Sequence, residues 1–235
     1  LPILNMSDTA NPPNLASADD FDARLKRTDE DRWLATRYAP AGSRERLVAI
    51  YLLNQELQRA LHAKEAMLGK IRLQWWRETL AQLAGGVPLR RHDLAEELAR
   101  VLKNRADLLG PMNAMVDAYD DVLDDHLQAG GHQAGGAHEE RHLAVESALM
   151  RLAGLALAPD AERAGLEALA EAGAARVGLA AELDGAEARW ETAKAGLRQT
   201  PAMLWPAALH LAAASENGPL SKRWRIFRAA LGRRL

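Results

Sequence analysis

The 235-residue chain sets 30 basic against 32 acidic side chains, and a net charge of −2 offers no field for nucleic acid. It contains no cysteine, which removes disulfides, thiol catalysis and cysteine-ligated zinc together. Ala and Leu dominate the 48% of apolar residues and aromatics reach only 5%, the makeup of helices rather than sheets, so an all-α fold is expected.

Residues 1–17 place Pro2, Pro12 and Pro13 among Asn, Ser and Thr with no apolar period, and are expected to be disordered. They also lack the basic and apolar regions of a secretory signal. Residues 18–235 are expected to form one helical domain. A first helix is expected from Asp19 to about Tyr38, stopped ahead of Pro40 because the residue before proline disfavours helical dihedrals. Ser43 is the expected N-cap of the next helix, in which Leu47, Ile50, Tyr51, Leu57 and Leu61 recur at helical spacing around a polar Asn54. A third helix is expected from Glu65 to Ala84. Its core stripe is read as Leu68, Ile71 and Trp75, widened by Trp76, Leu80 and Leu83, and Gly85, Gly86 and Pro88 end it.

A short amphipathic helix follows from Asp93 to Arg105. Another, begun after Gly110 and Pro111, carries Met115, Val116, Tyr119 and Leu123. The run Gly130 to Ala137 reads as a linker, and the next helix extends to about Leu157, before Pro159. An Ala-rich helix is expected from Asp160 to about Ala195, with Gly165, Gly173, Gly178 and Gly185 letting a neighbour approach closely. About eight helices around one central core or cavity result.

Several clusters carry chemistry. Asp117, Asp121 and Asp124, at offsets of four and three, share a helix face on which two carboxylates are able to hold Mg²⁺; the plainer reading is a solvated acidic face. His138 to His142 spells HExxH, but it directly follows a Gly-rich run and reads as a solvated helix start. Arg72 and Arg77 suit a diphosphate or neighbouring acids equally. At the C-terminus Trp224, Phe227 and Leu231 form a stripe expected to cover the bundle, leaving Arg223, Arg225, Arg228, Arg233 and Arg234 in water. The competing reading lays this basic helix on an anionic membrane surface. The apolar segment Met203 to Ala214 is too short to span a bilayer.

The segments AIYLLNQELQRA (Ala49 to Ala60), IRLQWWRETL (Ile71 to Leu80), MVDAYDDVLDD (Met115 to Asp125) and VGLAAEL (Val177 to Leu183) resemble the squalene/phytoene synthase family. The resemblance implies an isoprenoid-synthase-like bundle of helices around a central apolar cavity. It also implies head-to-head condensation of two prenyl diphosphates, with Mg²⁺ held by two aspartate-rich motifs on facing helices. Tyr51, Arg72, Trp75, Trp76 and Arg77 become the candidate substrate-binding positions. The chain departs from the pattern where the chemistry sits. Gln58, Arg59 and His62 fall at the first acidic motif, and Ala181 to Gly185, with Asp184 and then Arg189, at the second. Only Glu56 is acidic near the first.

A similar degradation marks a non-catalytic branch of that family that includes the mitochondrial assembly factor for respiratory complex I. The expectation is a catalytically degenerate protein acting on a protein partner, such as a membrane-complex subunit, without a cofactor. It is expected in the cytoplasm, with a peripheral position at the inner membrane as the alternative that the membrane-surface reading of its C-terminal helix carries. The alternative is a prenyl transferase, which alone requires Mg²⁺, or a prenyl-lipid binder.

Overall fold

A computed structural model describes residues 18–128, 137–213, 219–233 and 235. The expected disorder of residues 1–17, the linker residues 130–136 and Arg234 lie outside them. The described residues form α1 (Ala18–Thr28), α2 (Glu30–Thr36), α3 (Ala41–Leu61), α4 (Ala66–Gly85), α5 (Asp93–Val101), α6 (Leu109–Gln128), α7 (Ala137–Leu157), α8 (Arg163–Ala180), α9 (Ala186–Arg198), α10 (Trp205–Ala208) and α11 (Pro219–Gly232), with three short 3-10 turns. No strand occurs among them. The fold is all-α, as the Ala- and Leu-rich composition dictates.

Eleven helices stand where about eight were expected: two long helices are cut, and the apolar segment after Pro201 adds the short α10. The first breaks at Asp29, whose carboxylate accepts the Arg32 N–H at 3.0 Å and caps α2. The Ala-rich helix breaks after Ala180. There the Leu183 N–H reaches the Gly178 carbonyl at 3.0 Å and the Glu182 N–H reaches Leu179 at 3.3 Å, a Schellman closure. Glu182 takes the left-handed conformation this needs, at φ 54°, and Gly185 opens α9 at φ 72°. Ser43 is not a cap either: α3 starts from Pro40, and Ser43 is buried in the first turn with its Oγ accepting from Arg46 at 3.0 Å.

α3 is the central element. Leu47 to Asn54 are buried without interruption, so this helix is covered on every side. It packs against α1, α2, α4, α5, α6 and α7, while α6, α7, α8 and α9 pack in succession. One continuous apolar cluster takes side chains from all eleven helices, and the middle of the bundle is filled by residues such as Tyr51, Leu52, Leu53, Leu73 and Leu149.

Two expected faces are rotated. On α4, Leu68 (45%) and Ile71 (58%) are exposed, and Gly69, Leu73, Trp76 and Leu80 face the core instead. The cause is the close approach of neighbours. A Cβ at Gly69 would lie 2.5 Å from the Ala60 carbonyl oxygen and 2.8 Å from Leu123 Cδ2, so this face alone admits α3 and α6. On α11, Ile226 and Ala229 are buried, while Trp224, Phe227 and Leu231 point away from the bundle. Close approach at Gly173 matches expectation, with Met150 Cγ 2.6 Å from a Cβ built there.

Candidate functional site

The turn 62–65 folds α4 back on α3, and the contact at Gly69 sets Arg72 against the end of α3, where its Nη1 donates to the Arg59 carbonyl at 3.2 Å. Beside this junction lies an open cleft of ≈ 480 Å³ lined by Glu56, Arg59, Ile71, Arg72, Trp75, Trp76 and His92. Trp75 and Trp76 meet edge to face at 4.8 Å, and the His92 ring sits 5.0 Å from the first and 5.2 Å from the second. Adjacent helical positions point about 100° apart. Trp76 therefore enters the core, at 3% exposure, while Trp75 forms the half-buried wall of the cleft. Arg72, Trp75 and Trp76 are thus brought together. Tyr51 is fully buried inside the bundle, and Arg77 is engaged elsewhere.

The cleft is basic at its mouth. Its one carboxylate, Glu56, forms an ion pair with Arg24 and another with Arg59 at 2.6 Å. Gln58 and His62 lie exposed on the last turns of α3 and its cap. At the other degenerate position, Asp184 is exposed in the turn between α8 and α9, and Arg189 pairs with Glu171 at 3.1 Å.

The carboxylates of α6 are interleaved with cations from α4 and α7. Arg77 Nη2 reaches Asp117 at 2.8 Å and Asp120 at 2.9 Å. Lys70 Nζ reaches Asp120 at 2.5 Å and Asp124 at 2.7 Å. Arg141 pairs with Asp125 and lies 4.0 Å from Asp121. Partial burial opposes charge on Lys70, Arg77 and Asp120, yet their mutual contacts outweigh it, holding both cations above and Asp120 below its ordinary value. Asp117, Asp121 and Asp124 remain largely solvent-exposed, and the ion pairs that cross to α4 and α7 run along this acidic face.

These residues do not fit a Mg²⁺ clamp. A divalent ion at Asp117, Asp121 or Asp124 has to compete with cations already seated, and among the described residues no three His, Asp or Glu side chains converge as a metal site. The HEERH run falls in the first turns of α7, with His138 and Glu139 side chains outside the described residues.

Charged groups that local patterning does not reveal meet inside the bundle. Arg32 of α2 donates Nη2 to both Glu146 oxygens of α7 at 2.6 and 2.8 Å, and Nη1 to Asp29 at 2.9 Å. His210, only 7% exposed, places Nε2 3.7 Å from the same carboxylate. The Arg32 guanidinium lies 5.6 Å from the Tyr51 ring centre. Burial works against the charge on Arg32, but Glu146 and Asp29 hold it above its usual value. Burial would likewise raise the Glu146 carboxyl, and the Arg32 charge with His210 brings it down to about 2. Nearby, Tyr119 donates its hydroxyl to Asn54 Oδ1 at 2.8 Å, which explains the polar residue in the α3 stripe. The sequence signal for the ion pair was faint: one acid, Glu146, in the run LAVESALM, which apart from Ser147 is apolar.

No curated protein and no solved structure matches the chain. The described helices from within α1 to the end of α6 hold the tryptophan cleft and the carboxylate ladder. This stretch, residues 25–129 and so less than half of the chain, matches the squalene/phytoene synthase family model.

Proposed function

We propose that the chain is a catalytically degenerate relative of squalene/phytoene synthases that acts by binding a protein partner, and that its client is a respiratory membrane complex during assembly. The observation that carries the first half is the state of the carboxylates. Ionising a prenyl diphosphate calls for acids free to hold a divalent ion, and electrostatic stabilisation of this kind is usually the largest catalytic contribution. Here the α6 acids are bonded to Lys70, Arg77 and Arg141, and Gln58, Arg59 and His62 stand at the first motif. The second half rests on the resemblance of LLNQEL, GKIRLQWWRETL and VDAYDDVLDD to the assembly-factor branch.

Deleting the gene tests it. The amount of assembled respiratory complex is expected to fall, and a copy carrying Asp117→Asn and Asp121→Asn is expected to restore it fully. Normal assembly in the deletion strain contradicts the reading.

A second reading, a prenyl-diphosphate transferase or prenyl-lipid binder, is favoured by the cleft itself. Arg59 and Arg72 at its mouth suit a diphosphate, and Ile71 and Trp75 suit an isoprenoid chain. Turnover separates the transferase from the degenerate reading, and titration with farnesyl diphosphate tests the binder.

A further inference from the structure

We propose that α11 is an in-plane docking element for an anionic lipid surface. The helix has two apolar faces. Ile226 and Ala229 are buried against the bundle, whereas Trp224 (59%), Phe227 (45%) and Leu231 (78%) are exposed. At ~100° per residue the exposed three fall within about 60° of one another, roughly opposite the buried pair. Their ridge therefore points straight away from the protein, and the Trp224 and Phe227 rings stack at 5.6 Å to make it continuous.

The charge around the ridge selects the occupant. α11 carries Lys222, Arg223, Arg225 and Arg228 and no acidic residue. Arg223 flanks the ridge on one side and Arg228 on the other, by the same helical geometry. A tryptophan-bearing apolar ridge with Arg228 on one side and Arg223, shared with Glu30, on the other matches the layering of a bilayer surface: the ridge sinks to the acyl boundary and the guanidiniums sit at the depth of the lipid phosphates. With 14 residues the helix is ~21 Å long, and no described helix is long and apolar enough to cross a membrane, so it lies in the plane. Lys222 holds the inner side to Asp31 at 3.1 Å, and Arg223 reaches Glu30 at 3.1 Å, which fixes the ridge outward.

Co-sedimentation of the full chain with phosphatidylcholine vesicles, with and without phosphatidylglycerol, tests this. Binding is expected to the anionic vesicles and to weaken as salt rises. Arg228→Gln, which leaves the Lys222 and Arg223 contacts in place, is expected to weaken it about fivefold. Trp224→Ser with Leu231→Ser is expected to weaken it roughly tenfold or more. Arg228, Trp224 and Leu231 all face outward, so the melting temperature should stay within a few degrees and loss of binding cannot be charged to unfolding. No binding to anionic vesicles, equal binding to both kinds, or unchanged binding by the serine pair overturns the proposal. So does a self-association, or a stable protein complex, that the serine pair abolishes while vesicle binding is missing.

Discussion

Glu146→Gln is expected to cost about 3 kcal/mol of stability, the low end for a broken interior ion pair, because it leaves the Arg32 guanidinium with Asp29 as its remaining counter-charge. At roughly 2–4 °C per kcal/mol for a domain of this size, the melting temperature should fall by about 10 °C. The pair need not stabilise the fold relative to apolar residues. Two charges lose most of their hydration here, with only 16% and 14% of their side chains exposed, and a desolvation penalty of several kcal/mol per ion offsets much of the attraction. Replacing both, as Arg32→Met with Glu146→Leu, should therefore recover part of the loss, the remainder reflecting Asp29, which gives up its Arg32 partner. Thermal or urea unfolding of the three variants checks this, and a Glu146→Gln protein within about 1 kcal/mol of wild type would contradict it.

The same carboxyl gives the stability a pH signature. Its folded-state value is depressed, about 2 against an ordinary 4.5, so its contribution is present above about 4.5 and lost as pH falls toward 2. The full span is worth up to about 3 kcal/mol. Glu146→Gln should flatten that segment of the stability curve.

Gly69→Ala is the next largest expected effect. Helix propensity alone favours alanine by up to ~1 kcal/mol, so the local effect is stabilising. The neighbours decide otherwise. The new methyl would meet the Ala60 carbonyl oxygen at 2.5 Å, and a backbone atom, here in the last turn of α3, cannot turn aside as a side chain would. α3 and α4 must separate, at the cost of the Leu73 and Leu80 packing, and a net loss of about 2 kcal/mol is expected. Gly42, in the first turn of α3, is the control of opposite sign. A Cβ there meets nothing within 4 Å, so Gly42→Ala should raise the melting temperature slightly. If both alanines stabilise equally, the tight α3/α4 contact is not what orients α4.

The helical class was legible because Ala, Leu, Glu and Arg fill every segment, and the α3 core because Leu47, Ile50, Tyr51 and Leu57 repeat without ambiguity. The faces of α4 and α11 were not, since each carries large apolar residues on two sides and only the packed partner selects one. The α8/α9 break was hidden by its chemistry. Glu182, a residue that rarely takes positive φ, makes the turn, while Gly185, read as a packing glycine, opens the next helix. The WW pair and the α6 acids were visible as clusters. Their fate was not, because Lys70, Arg77 and Arg141 reach them across helices, and Arg32 and Glu146 lie 114 positions apart in the chain.

The most direct measurement is pyrophosphate release from farnesyl or geranylgeranyl diphosphate in the presence of Mg²⁺. Carboxylates already neutralised by lysine and arginine predict none above background. Steady release that disappears with Asp117→Asn and Asp121→Asn would show that those acids hold a working metal after all.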